Sequence, residues 1–493
     1  MRKLLNSISI VFSIIALGSS YGQVQRFDEP LTMQGIDKTA IHSAASRALG
    51  GTSVGLSNEI GIMFSNPAAL SSLKQFQISI GNSYRFLDES QTQQYGPAKY
   101  YPNFSLVMEG LTDLIPDPVL DTVKIHTAKD SVQRPYDKIG PNWSRTKNKN
   151  LPLQAMAAIP FKIGSYNAAA GIGAVQYANL NYYYQNNNVL SPAINVQRPY
   201  PVKLVTNDSS YLPVKWYQRV RDREGVVYGY GAAFSFSFNE NFSLGVSGLL
   251  LKGSTDDYES TLGRGRFIFY SSYFRLDSVD YHSSKTGTSD YSGFDLTISG
   301  SYKSKYVTLG FAIKPPVTIT RDFKYDYKGD SLGVSKAYSV SGTDKMKLPW
   351  SGMVGISLSI WDNIRAALEY EIRPMANADY ESADGSTTSP WKSSQALRAG
   401  VEYMPVNWLV LRAGVRDNSE VFEQEGNPFA GDPVSSTIIS AGCGIHYSGL
   451  TLNLTYEYGN VKFNDMLQDC VILNKSKGQN IIAEISYNIP LLK

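Results

Sequence analysis

The chain has 493 residues, of which 42% are apolar and only 18% charged, below the roughly 25% charge of soluble globular chains. Its 33 tyrosines and 41 glycines exclude a coiled coil or long helical rod, and its aromatic content excludes intrinsic disorder. A net charge of +3 gives no basic excess for nucleic acid, and two cysteines are too few for a disulfide framework or a Cys-rich zinc site.

Residues 1–22 read as an export signal. Arg2 and Lys3 form a basic start, Leu4 to Leu17 an apolar stretch, and Ser20 and Gly22 a small-residue cleavage site. No Cys follows the site, so a lipoprotein is not indicated. Beyond it no stretch approaches the ~20 apolar residues of a membrane helix. The exported chain is therefore either soluble outside the membrane or a transmembrane β-barrel.

Residues 23–74 lack strand alternation and are rich in Ala, Ser and Gly. Asn66 suits a helix N-cap and Pro67 the first helical position. The segment reads as a plug inside a barrel or as a periplasmic N-terminal tail.

From residue 75 onward, apolar and polar residues alternate, as on a strand with one apolar face. Phe76, Ile78, Ile80, Tyr84 and Phe86 are interleaved with Gln77, Ser79, Gly81, Ser83 and Arg85. The clearest hairpin places Tyr228, Tyr230, Ala232, Phe234, Phe236 and Phe238 on one face, turns at Asn239-Glu240-Asn241, and returns through Phe242, Leu244, Val246 and Leu250. Each limb has the ~9–11 residues that cross a bilayer at a tilt.

Short turns are expected near 162–165, 239–241, 303–305, 361–363, 404–407 and 448–449. Long polar connections are expected at 87–150, 184–225, 254–290, 324–348, 376–394, 417–436 and 460–477. Short turns on one side and long loops on the other are the pattern of an outer-membrane barrel. The count is fourteen antiparallel strands over residues 75–493, an even number as such barrels require. Two apolar segments, 103–108 and 266–274, are left over. They are extracellular hairpin strands or a further pair that makes sixteen. The soluble alternative is a β-sandwich with decorated loops.

The third strand, Tyr166 to Tyr183, carries Gly171 and Gly173 within a run of alanines. Glycine inside a strand marks a bulge or a close backbone approach, such as packing against the plug. In the third long connection Phe267, Phe269, Tyr270, Tyr273 and Phe274 lie near Arg264 and Arg266. Aromatics beside arginines suit an acyl chain and its carboxylate, or else a packed barrel rim. His42, His126, His282 and His446 are far apart in sequence, and no nucleophile or metal-ligand motif is present. No catalytic residue, metal or cofactor is expected. Cys443 and Cys470 either form one disulfide or stay separate.

Three motifs carry a family resemblance. Arg47-Ala48-Leu49-Gly50-Gly51-Thr52-Ser53-Val54-Gly55, followed by Ser65-Asn66-Pro67-Ala68-Ala69-Leu70, resembles the N-terminal hatch of the FadL/TodX outer-membrane transport family. Leu348-Pro349-Trp350 resembles a strand opening of that family. So does Leu397-Arg398-Ala399-Gly400-Val401-Glu402-Tyr403, together with Asn407-Trp408-Leu409-Val410-Leu411-Arg412-Ala413-Gly414-Val415. The resemblance spans essentially the whole mature chain. The chain ends in Ile489-Pro490-Leu491-Leu492-Lys493, without the terminal aromatic common among barrels.

The resemblance implies a monomeric barrel in the bacterial outer membrane, surrounded by its lipid. It implies passive, gated uptake of long-chain fatty acids or other hydrophobic small molecules. Arg47, Gly50, Gly51, Asn66, Pro67 and Ala68 would belong to the hatch, with Arg47 pairing with Glu369, Glu402 or Glu457. Gly171 and Gly173 would flank a lateral opening. Related barrels also serve protein secretion, so a scaffold for a secretion or surface protein is the alternative reading.

Overall fold

The computed structural model describes residues 33–38, 41–56, 58–95, 139–191, 212–269, 274–279, 281–331, 333–424, 433–467 and 470–490. The export signal, residues 23–32 and the 103–108 segment lie outside the described residues.

One antiparallel sheet accounts for the chain after residue 75. Its first part runs β1 (Phe76–Tyr95), β2 (Trp143–Ile163), β3 (Tyr166–Asn179), β4 (Tyr182–Ser191), β5 (Leu212–Ser237) and β6 (Phe242–Phe269). Next come β7 (Phe274–Asp277), β8 (Tyr281–Lys303), β9 (Val307–Lys314), β10 (Val317–Ser331), β11 (Val334–Leu348) and β12 (Ser351–Trp361). The last part is β13 (Ile364–Arg373), β14 (Asp379–Glu381), β15 (Thr387–Thr388), β16 (Ser394–Val406), β17 (Leu409–Glu423), β18 (Pro433–Tyr447), β19 (Leu450–Leu467) and β20 (Cys470–Ile489).

These segments make a fourteen-stave ring. Three staves are interrupted: β3 passes into β4 at Leu180-Asn181, β9 into β10 at Pro315-Pro316, and β11 into β12 at Pro349-Trp350. Proline lacks the ladder N–H, which explains the second and third breaks. β7, β14 and β15 are short additions at the rim. The ring closes where β1 pairs with β20 from Phe76↔Ile489 to Tyr95↔Cys470.

All six expected short turns are present. Ser448 and Gly449 both take positive φ (45° and 84°), as a tight hairpin turn requires. Asn239 Oδ1 accepts the N–H groups of Asn241 and Phe242 and so closes the turn between β5 and β6.

The long connections differ from expectation. Much of 184–225, 254–290 and 324–348 is strand, with β6 reaching 28 residues, about 90 Å of chain at ~3.3 Å per residue. The apolar side of the alternation stops near Leu250, but polar alternation carries the ladder onward. Paired strands satisfy their backbone whether or not the outer face is greasy. The 266–274 segment belongs to the β6–β7 hairpin and adds no stave pair, which removes the sixteen-strand alternative.

Every stave places apolar side chains outward, among them Ile80 (69% exposed), Phe161, Ile172, Phe234, Phe294 and Ile485. Tyr166, Phe238, Tyr302, Trp361, Trp408 and Tyr447 (78% exposed) ring the short-turn end. Inward neighbours such as Ser79, Ser235, Ser247, Ser299, Asn453 and Glu457 are polar and buried. Apolar out, polar in, with an aromatic girdle, is a barrel built for lipid.

The N-terminal segment packs against these inward faces. Its described residues form one helix, α1 (Ala44–Ala48), and 3₁₀ turns at Ile60–Ile62 and Pro67–Ser72. Its Ile60, Met63, Phe64, Leu70 and Leu73 join Met156, Val227, Leu249, Tyr291 and Trp391 in a buried apolar cluster. Cys443 and Cys470 are free thiols, on different staves.

Candidate functional site

The N-terminal segment is anchored by buried charges. Arg47 Nη1 donates to Glu457 Oε2 at 3.1 Å, and Arg416 holds the other oxygen of Glu457 at 2.7 Å. Of the three acids considered as partners for Arg47, Glu457 is the one it meets. Glu369 accepts the backbone N–H groups of Ser53 and Val54, while Glu402 pairs with Arg412 at 2.9 Å. Glu484 Oε2 accepts the N–H of Ala44 at 2.7 Å, at the first turn of α1.

Glycines let the two surfaces meet. Gly50 and Gly51 take φ of +71° and +97°, and a Cβ on Gly50 would lie 2.7 Å from the Ala399 carbonyl oxygen. The facing wall residues are Gly400 and Gly414, whose added Cβ atoms would overlap Leu49 and Gly50. The repeated Arg-Ala-Gly-Val of β16 and β17 thus has a cause: each arginine binds an inward acid, and each glycine admits the N-terminal segment.

Asn66 occupies the position before the Pro67–Ser72 turn, but its side chain makes no capping hydrogen bond. Its buried Oδ1 has no partner. The turn is held from the wall instead. Ser299 Oγ accepts the Ala68 N–H at 2.8 Å, and Ser235 and Ser243 donate to the Ala68 carbonyl at 3.0 and 3.1 Å.

Gly171 and Gly173 lie in a fully laddered part of β3. β2 pairs with β3 from Ile163↔Tyr166 to Gln154↔Val175, and β5 pairs on the other side. A Cβ on Gly171 would overlap Met63, so this glycine serves packing against the N-terminal segment. The gap lies farther along. Above Gln154, among the described residues, β2 pairs with β1 alone, and β4 pairs with β5 alone. Pro152 sits just past the last rung and cannot donate. The interruption at Leu180-Asn181 turns the chain away, with Asn179 Oδ1 accepting the Asn181 N–H at 3.1 Å.

Side chains bridge this seam in place of peptide hydrogen bonds. Lys149 Nζ donates to Asn181 Oδ1 at 2.9 Å and to Glu224 Oε2 at 2.7 Å. Lys147 also pairs with Glu224. Arg145 stacks 3.8 Å over the Tyr183 ring and meets Asp222 at 3.4 Å.

The same side chains wall a lumen cavity of about 480 Å³. It is bounded below by Asp37, Lys38, Ile41 and Arg47 of the N-terminal segment. Nine basic and three acidic side chains line it, interleaved with Tyr177, Trp391, Val421 and Phe422. Neither Phe267 nor Phe269 borders it. Arg264 instead occupies a bulge between Gly263↔Tyr217 and Gly265↔Trp216. It donates to Asn188 Oδ1 at 2.6 Å, to the Ile139 carbonyl at 2.8 Å, and lies 4.2 Å over Trp216. Phe267 and Phe269 are buried beside Trp216, while Arg266 faces the other way and pairs with Asp277 at 3.3 Å. Tyr270 and Tyr273 lie outside the described residues, and Phe274 is described only by its pairing with Phe269.

Around Arg264, buried Gln91, Gln93, Asn186 and Asn188 bond one another and Trp216, while the Asn187 carbonyl accepts from Arg264 at 2.7 Å. This amide lattice links β1, β4, β5 and β6 in the long-strand half of the wall. Among the described residues no group of three or more His, Cys, Asp or Glu is placed to hold a metal.

The architecture has solved counterparts. A FadL homologue of Pseudomonas aeruginosa superposes with a TM-score of 0.57 at 14% identity, over 92% of this chain and 98% of that one. The fold is that of the FadL-type barrels. The P. putida toluene transporter TodX gives 0.54 at 13% identity over 92% and 100% of the two chains. The CymD monoaromatic hydrocarbon channel gives 0.50 at 13% over 92% and 98%. No family model and no curated protein sequence matches the chain.

Proposed function

We propose that the protein is an outer-membrane channel for passive uptake of hydrophobic or amphipathic small molecules. In this reading residues 23–74 are a hatch that closes the lumen, and cargo leaves the cavity sideways between β2 and β4. One observation carries it: the cavity is bounded by the hatch on one side and by an unladdered seam on the other. The lipid-adapted exterior supports the location, and the FadL-type fold, shared with proteins described as a toluene transporter and a hydrocarbon channel, supports the cargo class. In this reading movement follows the gradient.

The test is a reversible cross-link across the seam. Lys149→Cys with Asn181→Cys, joined by a bifunctional thiol reagent, is expected to stop entry of labelled cargo into liposomes, and reduction to restore it. Uptake unchanged by the cross-link would exclude the lateral route.

A second reading treats the barrel as a scaffold for a secretion or surface protein. It is favoured by the β10–β11 hairpin, whose residues 334–341 are all exposed well beyond the apolar band. Shortening that hairpin is expected to leave uptake intact and abolish capture only if this reading holds.

A further inference from the structure

The lumen cavity has an electrostatic character that a hydrocarbon path does not need. Most of its cations are answered from the wall behind them: Arg47 and Arg416 by Glu457, Lys147 and Lys149 by Glu224, Arg398 by Glu369 and Glu371. Lys38 is answered by Glu420, and Arg145 by Glu89 at 3.4 Å. Arg85 and Arg373 have no carboxylate in ion-pair reach among the described residues. Arg373 spends one amine on the Asp37 backbone carbonyl at 2.8 Å.

Buried donors without acceptors mark the same space. The Nε groups of Arg85, Arg373 and Arg398 are buried and make no hydrogen bond, and all three residues line the cavity. Arg373 is 94% buried, with an exposure of 6%. A purely apolar occupant would seal the Arg85 and Arg373 guanidinium groups from water and return nothing. An occupant with acidic oxygens would satisfy them, with guanidinium geometry suited to carboxylate, phosphate or sulfate.

We infer that the cavity is a binding site for an organic anion that carries more than one acidic group on an aromatic or apolar body. Two placements require the second acidic group. Arg373 lies on β13, opposite Ser394 of β16, and Arg85 lies on β1, six staves round the ring from β13. One carboxylate cannot serve both. Tyr177, Trp391, Val421 and Phe422 supply the apolar surface between them. The inference rests on the channel reading for its physiological sense, but the site itself does not depend on transport.

The experiment compares three probes of one ring size: benzene-1,3,5-tricarboxylate, benzoate and toluene. Each is titrated calorimetrically into the full-length protein in mild detergent. The tricarboxylate is expected to bind saturably and at least tenfold tighter than benzoate, with toluene weaker still. Arg85→Gln and Arg373→Gln are each expected to weaken the tricarboxylate at least fivefold and leave toluene unchanged. Folding is checked by the heat-dependent gel shift of the barrel, and Arg85→Gln, on a less buried side chain, keeps the test standing if the Arg373 variant does not fold. Toluene binding tightest, no saturable tricarboxylate binding, or tricarboxylate binding unaltered in both variants would each overturn the inference. Liposome entry separates the two claims. Tricarboxylate that binds but never enters sinks the channel reading alone. Toluene that enters while the tricarboxylate does not bind sinks the anion site alone.

Discussion

Single residues decide how tightly the hatch is held. Gly414→Val would drive a branched side chain into the backbone of Gly50, and overpacking of this kind costs about 1–3 kcal/mol. Hatch amides are expected to exchange faster by hydrogen exchange, while the stave amides keep their protection. Equal protection in the hatch would show that the contact is soft. His42 gives the hatch a pH dependence. Burial, aided by the charges of Lys314 and Arg47, pushes its imidazole down to about 3, with Nε2 set against the Gln176 carbonyl at 3.1 Å. The unfolded chain takes up this proton below about 6.5, and the native protein does not. Stability from this site is therefore complete above about 6.5 and falls as the pH drops toward 3. Between pH 7 and pH 5 the loss is about 2 kcal/mol. Urea unfolding of the parent at the two pH values should show it, and His42→Asn should lack that share. None of these residue roles follows from spacing. The motif containing Gly50 and Gly51 is visible in the sequence, but Glu457, Gly400 and Gly414 lie over 340 residues away. Glu457 is one of three acids expected as a partner for Arg47; the choice among them, and the role of the two glycines, appear only when the ring closes around the N-terminal segment.

At the scale of elements, alternation made most of the barrel legible. The β5–β6 hairpin, the six short turns and the fourteen staves follow from period-2 patterning and turn residues. What alternation did not disclose was where strands end, because a ladder can outrun its apolar face. Nor did it disclose the seam, since glycines drew attention while Pro152 and Asn179-Leu180-Asn181 made the break. Both were readable in principle: a proline inside a strand demands an edge, and an Asx turn interrupts one. The alternation itself predicts a face-specific cost. Val246 points outward within the apolar band, and Ser254 points outward above it. Val246→Arg is expected to destabilise by about 2–4 kcal/mol, as charge does near the bilayer midplane. Ser254→Arg should stay within about 0.5 kcal/mol. Refolding titrations into lipid vesicles would compare them, and equal effects would displace the membrane band from where the exposed side chains put it.

For the whole molecule, two closures stand in series on the proposed path. In the proposed reading the N-terminal segment separates the cavity from the short-turn end, and the ion pairs of Lys147 and Lys149 with Glu224 close the seam. The amide lattice around Arg264 ties β1, β4, β5 and β6 together farther along the staves. Closures in series conduct only when all on one route are open. The staves pair with one another independently of the hatch, since closure depends on the β1–β20 ladder. Deleting residues 23–74 should therefore leave a barrel but give little current in planar bilayers. Glu224→Gln alone removes the acid between two lysines, frees the seam to part, and should also give little. Together they are expected to produce stepwise currents well above the sum of the two single changes. High salt should mimic Glu224→Gln in the hatch-deleted barrel, because partly exposed ion pairs weaken as ions screen them. Full current from the hatch deletion alone would mean that the seam stands open at rest. Silence of the combined variant would mean that the amide lattice, and neither proposed gate, seals the barrel.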